Sequence, residues 1–299
     1  MSRQAVAVID ADGALVQDGH AGAVPWWSFT KTLLAIAALR LAEDGALSLD
    51  APLAGADYTL AQLLRHEAGL PDYGGLASYQ ADVAAQRAPW PAARLLAETE
   101  ADRLRYAPGQ GWAYSNIGYM KVAALVAQAA GLSLGDALDR LVFAPASVAG
   151  TRLALLPSDL DDVAMGSVTS YHPGWVYHGL ATGPVADAAR LLRALVDGRL
   201  LRPESFARML QGRALPEHGS ATYPDPAYGL GLMLWAHDPL AHPWGHTGGG
   251  PGSGIAVYAL GRKICAFWRT TQPDAPVDVA AQAFARLAEA LPAAAKPLE

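Results

Sequence analysis

Both ends of this 299-residue chain are written in strand pattern, and the long stretch between them is not. Ala5 to Ile9, a turn at Asp10-Ala11-Asp12-Gly13 and then Ala14 to Val16 read as a β-hairpin. Ile255 to Leu260, a turn at Gly261-Arg262 and Lys263 to Thr270 read as a second. A lone hairpin is barely stable in water, so the two are expected to join in one sheet, which ties the chain ends together. Helical spacing fills the rest: Phe29 to Glu43, Ala92 to Glu100, Ile117 to Ala130, Val185 to Val196, Pro203 to Leu210, and Val277 to Leu291 at the tail. The expected fold is α+β, an α/β sandwich: an antiparallel sheet built from both chain ends and flanked by helices, with an inserted, mostly α-helical lobe. Residues 1–50 with 225–299 would form one lobe and residues 51–224 the other. The crevice between them is the expected site.

Composition narrows the function classes. Hydrophobic residues make up 52% and charged residues 17%, enough apolar surface for a large core. The net charge of -6 and the scattered Lys and Arg leave no basic footprint, so neither nucleic acid nor an anionic membrane surface is an expected partner. No apolar run reaches membrane-spanning length; the longest, TLLAIAALRLA after Lys31, is short and carries an Arg. The first residues show no apolar leader segment, and a cytoplasmic location is the expectation. A single Cys265 within a strand pattern excludes an internal disulfide and reads as core.

Lys and Asn are scarce enough to be informative. The lysines are Lys31, Lys121, Lys263 and Lys296, and Asn116 is the one asparagine. In PWWSFTKTLLAIAALRLA, Ser28 and Lys31 lie three apart at the head of a helix that is apolar nearly all round. Burial there would push the Lys31 pKa down until the amine can take a proton from Ser28. The plain alternative is an N-cap serine and a lysine that reaches solvent, and S-x-x-K arises by chance about 0.2 times in such a chain. In Tyr114-Ser115-Asn116, ahead of the helix at Ile117, Tyr114 is a candidate acid or base whose pKa a neighbouring Lys31 would lower. Asn116 is either a helix cap or a side chain that orients Lys31 and meets a substrate carbonyl. Y-x-N is expected by chance only about 0.04 times.

The third motif, WGHTGGGPGSG, precedes the second hairpin. His246-Thr247-Gly248 with two further glycines would let a substrate lie against a strand edge. The glycines fit neither phosphate-loop nor dinucleotide spacing. His237, His242 and His246 have no standard metal-ligand spacing, so no metal and no cofactor is expected. There is no G-x-S-x-G. Chance production of the three motifs in this order falls well under about one per cent.

With these motifs the sequence resembles the serine β-lactamase and penicillin-binding superfamily, in its class C β-lactamase-like branch of DD-peptidases, D-aminopeptidases and family VIII carboxylesterases. The resemblance runs from about Trp27 to Phe267 and includes LAQLLRHEAGLPDY, PGQGWAYSNIGYMKVAALV, HGLATGPVADAARLLRAL and AYGLGLMLW. It implies a β-lactamase/transpeptidase-like fold. It also implies Ser28 as nucleophile, Lys31 as its base and Tyr114 as proton shuttle, with Asn116 on the acyl amide. His246, Thr247 and Gly248 would line the carboxylate side, and the backbone N–H groups of Ser28 and Gly249 would form the oxyanion hole. His246 stands where many β-lactamases carry Lys, which weakens the attraction for a substrate carboxylate. HEAGL stands where the family often has H-T-S-G-L, a change expected to touch only local capping. The segment before Ser28 is shorter than usual, so a trimmed wall, or one completed by a second subunit, is expected. Trp26, Trp27, Trp112 and Trp244 beside the motifs suggest an aromatic pocket, with Trp112 against substrate. The expected activity is a carboxylesterase or small-amide hydrolase acting through an acyl-enzyme. A D-amino-acid peptidase or amidase, a weak β-lactamase, an acyltransferase and a non-catalytic ligand-binding relative are the alternatives.

Overall fold

The chain ends meet as their strand pattern requires. A computed structural model describes residues 3–168, 170–272 and 277–289. The N-terminal hairpin is β1 (Gln4–Ile9) and β2 (Leu15–Gly19), and β1 pairs along its whole length with β11 (Lys263–Thr270), from Gln4 opposite Arg269 to Ile9 opposite Ile264. With β6 (Arg213–Ala214), β7 (Pro226–Tyr228), β8 (Met233–Trp235), β9 (Trp244–Gly250) and β10 (Ser253–Leu260), they form an antiparallel sheet in the order β2-β1-β11-β10-β9-β8-β7-β6. A small second sheet orders β3 (Val24–Pro25), β5 (Leu180–Gly183) and β4 (Arg152–Ala154) as β3-β5-β4.

The helices are α1 (Thr30–Glu43), α2 (Leu60–Leu64), α3 (Ala77–Ala84), α4 (Ala92–Glu98) and α5 (Asn116–Ala130). They are followed by α6 (Leu134–Leu138), α7 (Ala144–Ala146), α8 (Val185–Val196), α9 (Pro203–Met209) and α10 (Val279–Ala288). Positions 290 and 291 of the expected tail helix lie outside the described residues.

The central strands are apolar on both faces because helices cover both. Ile255, Val257 and Ala259 of β10, with Ile264, Ala266 and Trp268 of β11, join the main core. The alternate residues Ala256, Tyr258, Cys265 and Phe267 pack with Val8 against Val279, Ala280, Ala283 and Leu287 of α10. Cys265 is thus a buried free thiol in the core. On the main-core side α8 lies against β1, β10 and β11. Both α8 and β6 come from residues 51–224, the segment expected as a helical lobe, so the sheet layer draws on more than the chain ends. Helix α1 is buried along almost its whole circumference, from Thr30 to Leu39 and at Leu41. Each of Leu33, Leu34, Ile36 and Leu39 contributes on the order of 1.5–3 kcal/mol by leaving water. Among the described residues, no single helix is long and apolar enough to cross a membrane.

Candidate active site

Ser28 is presented by a strained turn. The chain leaves β3, passes Trp26 and Trp27 and enters a 3-10 turn over Trp27–Phe29 that runs directly into α1. Trp27 adopts φ +42°, a left-handed conformation that costs a non-glycine residue about 1–2 kcal/mol. Its neighbours hold it there. The Trp27 indole N–H donates to Ser253 Oγ at 3.1 Å, and its ring meets Tyr171 edge-on at 5.5 Å. The Trp26 indole N–H donates to the Gly183 carbonyl at 3.0 Å, and its backbone N–H to Ala181 at 2.8 Å. The two tryptophans therefore fasten the turn to β10 on one side and β5 on the other.

The glycines of β9 follow from this packing. A Cβ on Gly248 would come within 2.6 Å of the Trp26 carbonyl oxygen and 2.7 Å of the Ser28 nitrogen. On Gly250 it would lie 2.4 Å from the Trp27 ring. Gly249 is different, because a Cβ there meets nothing within 4 Å. Gly248 and Gly250 are small so that β9 can touch the nucleophile turn, whereas Gly249 borders open space.

Lys31, the second residue of α1 and one turn beyond Ser28, is fully enclosed. Its Nζ lies 3.1 Å from Ser28 Oγ, 2.7 Å from Asn116 Oδ1 and 3.2 Å from His178 Nε2. Burial holds its pKa well below the ordinary lysine value, and the negative charge of Asp72 opposes that only in part. The amine is therefore available as a free base. Asn116 is not the helix cap. Ser115 caps α5, its Oγ accepting from Gly118 N at 3.0 Å and donating to the Pro71 carbonyl at 2.7 Å. Asn116 instead donates its backbone N–H to Asp72 Oδ1 at 2.7 Å, which leaves its amide oxygen to Lys31.

Tyr114 does not behave as expected from the sequence. Desolvation raises its pKa above the ordinary phenol value, and a hydrogen bond with Ser28 offsets only part of the rise. The Lys31 nitrogen sits 4.8 Å from the Tyr114 ring centroid, but a lysine held uncharged cannot stabilise a phenolate. Tyr114 is a phenol here.

Ser28, Asn116, His178 and Gly249 open onto a cavity of about 710 Å³. Its aromatic wall is built from Trp27, Tyr73, Tyr79, Tyr171 and Trp175, and among the described residues no Asp, Glu, Lys or Arg lines it. His246, Thr247, Gly248 and Trp112, expected to face substrate, are not on this wall. His246 is completely buried, with Nε2 2.8 Å from the Tyr228 hydroxyl and Nδ1 facing the Thr247 carbonyl. Its pKa is pushed down to about 3, first by burial and then by Lys31, so the ring is neutral. Thr247 Oγ1 donates to Met233 Sδ at 3.3 Å. Trp112 packs on His66 and His218 instead, and Trp26 and Trp244 are core. These residues support the site from behind.

Three site residues escaped the sequence reading. His66 accepts the Ser115 N–H on Nδ1 at 3.1 Å and stacks on the Tyr114 ring at 4.4 Å, so it fixes the whole Y-S-N segment. Asp72 fixes Asn116, and His178 touches Lys31. The only hint was their presence in LAQLLRHEAGLPDY and HGLATG, stretches noted for resemblance alone. Glu67 of HEAGL does more than capping, since it pairs with Arg65 and Arg213, each at 3.1 Å. Among the described residues, no group of three potential metal-ligating side chains is clustered; His237 bonds Asp225 and His242 stacks on Trp235.

Known proteins carry the same architecture. The D-stereospecific amidohydrolase of Streptomyces sp. has a TM-score of 0.76 at 22% identity, covering 89% of this chain and 88% of that one. The octameric penicillin-binding protein homologue of Pyrococcus abyssi gives 0.78 at 19% identity, over 95% and 72% of the two chains. The D-amino acid amidase of Ochrobactrum anthropi SV3 gives 0.72 at 22%, over 89% and 87%. Penicillin-binding protein 4* of Bacillus subtilis (strain 168) is 31% identical over 163 residues, or 48% of this chain and 34% of that protein, so the chain spans about a third of that relative. The profile of the family described as Beta-lactamase matches residues 20–290, nearly the whole length. By that match the chain belongs to the beta-lactamase family, a class of hydrolases.

Proposed function

We propose that the protein is a serine hydrolase that forms an acyl-enzyme on Ser28 and cleaves uncharged esters or small amides. The observation that carries this reading is the linked set Ser28 Oγ, Lys31 Nζ and Asn116 Oδ1, joined at 3.1 and 2.7 Å on the edge of a cavity that no charged side chain lines among the described residues. Lys31, an amine held neutral by burial, takes the proton of Ser28 as Oγ attacks the carbonyl. The oxyanion meets the backbone N–H groups of Ser28 and Gly249. Ser28 stands in the first turn of a helix, where the N–H has no partner within the helix. Tyr114, a phenol hydrogen-bonded with Ser28, passes its proton to the departing oxygen or nitrogen and regains one from the Lys31 ammonium, which resets both groups. Water then attacks the acyl ester, with the same groups working in reverse. Asn116 Nδ2 is left free to meet the acyl carbonyl.

The aromatic wall favours an aryl or apolar acyl group. Among the described residues no Lys or Arg lines the cavity to meet a substrate carboxylate, and His246 is buried and neutral. D-amino acid amides, named for the neighbouring amidase structures, bring an ammonium, and the wall offers no carboxylate to receive it. Asp72 already spends Oδ1 on Asn116 N–H and Oδ2 on Gly74 N–H. A panel of p-nitrophenyl esters, neutral aryl amides, D-amino-acid amides and a chromogenic cephalosporin tests the reading, together with fluorophosphonate labelling of wild type and Ser28→Ala. Ester or neutral-amide turnover is expected, falling by at least about a thousandfold in Ser28→Ala. Cephalosporin turnover without ester hydrolysis, or a wild-type protein with no adduct on Ser28, would sink it.

A further inference from the structure

The mechanism above uses two of the three polar neighbours of Lys31 Nζ and leaves the third, His178 Nε2 at 3.2 Å, without a task. His178 arrives from the loop just before β5, is 2% exposed, and stands on the cavity wall with Ser28 and Asn116. Its Nδ1 is buried with no hydrogen-bond partner. The groups acting on this corner are Lys31, His66 and His246, with Asp72 on the far side of Lys31 and the rings of Tyr114 and Tyr119 flanking the amine. Burial first, and the neighbouring basic groups after it, keep the imidazole neutral. A neutral imidazole has one N–H and one acceptor nitrogen.

Proton counting then decides which nitrogen does what. A neutral lysine amine has two N–H donors and one lone pair. Asn116 Oδ1 is an acceptor and takes one N–H. If His178 Nε2 accepts the other, the lone pair is left for the Ser28 O–H. If Nε2 carried the proton instead, it would occupy the lone pair, and the second amine N–H would turn to Ser28 Oγ. Ser28 would then be an acceptor and could not be deprotonated. We infer that His178 is a positioning residue: as its Nδ1–H tautomer it accepts from Lys31 and so fixes the amine's lone pair on Ser28. This rests on the acyl-enzyme reading. No proton moves to His178, which only holds one N–H of the ammonium formed when Lys31 takes the Ser28 proton. The unpartnered Nδ1 is the cost of this tautomer, since a buried N–H without an acceptor destabilises the fold, and the bond accepted from Lys31 at Nε2 offsets it.

The test compares fluorophosphonate labelling of Ser28 and p-nitrophenyl acetate hydrolysis in wild type, His178→Phe and His178→Gln, with thermal melts for each. Phe fills the space without an acceptor, whereas the Gln side-chain oxygen can accept from Lys31. The labelling rate is expected to fall by about tenfold or more in His178→Phe, part of the roughly 10²–10⁴ that a positioned base supplies, and to stay within about threefold of wild type in His178→Gln. The acid limb of the rate in His178→Phe should move to lower pH, because the Lys31 ammonium has lost an acceptor. If the Phe variant does not fold, His178→Ala replaces it, with added imidazole expected to restore the rate. A Phe variant that labels at the wild-type rate, equal losses in Phe and Gln, or an Ala variant indifferent to imidazole would overturn the inference. A wild-type protein that forms no adduct overturns the Ser28 reading and this one together, whereas normal wild-type labelling with an indifferent His178 overturns this one alone.

Discussion

Lys31 is an amine with no exposed surface, and its chemistry follows from that enclosure. Burial penalises the ammonium, so the folded protein holds the free base at pH values where an exposed lysine is still protonated. The proton-accepting form lies on the alkaline side of that lowered pKa. The reaction of Ser28 should therefore rise with pH and level off well before the ordinary lysine value near 10.5. Tyr114, raised by burial, remains a phenol through the same range and adds no limb of its own. In practice the fluorophosphonate labelling rate is expected to be flat from about pH 9 to 10. A tenfold climb across that unit would show Lys31 titrating like a solvent-exposed lysine. The enclosure was legible in the sequence, because Lys31 begins a helix with no polar face. The rise at Tyr114 was not, since it depends on which rings surround the hydroxyl. His66, Asp72 and His178 were equally hidden: each is a single side chain from a distant segment, and no local spacing announces a tertiary contact.

At the scale of elements, β9 shows how one run of three glycines can serve two purposes. Gly248 and Gly250 are dictated by contact with Trp26, Trp27 and Ser28, while Gly249 faces the cavity. Gly248→Ala should destabilise the protein by about 1–3 kcal/mol or more, because neither the backbone of β9 nor that of the nucleophile turn can yield. Gly249→Ala should melt close to wild type, yet its methyl group enters the space a bound acyl carbonyl needs. Its kcat/KM is expected to drop about ten- to a hundredfold. Thermal melts beside ester kinetics for the two variants check this, and the reverse pattern would reject the assignment. In the sequence, only the family resemblance sets Gly248 on the substrate side and Gly249 in the oxyanion hole, since alternation along a strand says which residues share a face but not what lies against it. Elements with a strong period were found where expected, among them α8 at Val185–Val196 and the two end hairpins. Strands of two to four residues such as β3, β6 and β8 have no readable period, and they went unseen.

For the molecule as a whole, the question is what keeps the two ends of a 299-residue chain in register. The β1–β11 ladder does part of this, but its two turns would be free to splay without a third element. Arg193 of α8 closes that gap. It is 7% exposed; Nη1 donates to the Asp10 carbonyl at 2.7 Å and the Arg262 carbonyl at 3.2 Å, and Nη2 to Ala11 at 3.2 Å. Its Nε is held by both carboxylate oxygens of Asp197 at 3.0 Å, and Asp197 also receives Arg262 at 2.9 Å. One guanidinium from mid-chain thus binds the turn of the N-terminal hairpin and the turn of the C-terminal hairpin at once. A helix that was expected in the inserted lobe is instead the clasp of the sheet. Arg193→Leu keeps the apolar packing but cuts α8 from both turns; Asp10 keeps the Gly13 N–H, and Ala11 and Asp197 keep Arg262, so the loss should cost roughly 1–3 kcal/mol. Arg193→Lys should recover little, because a single ammonium cannot match the spread of a guanidinium. These contacts belong to the clasp and not to the cavity wall, so the folded fraction should label at Ser28 at the wild-type rate. Thermal or urea unfolding combined with fluorophosphonate labelling at 25 °C separates the two effects. An Arg193→Leu protein as stable as wild type would mean that the strand ladder alone holds the ends together.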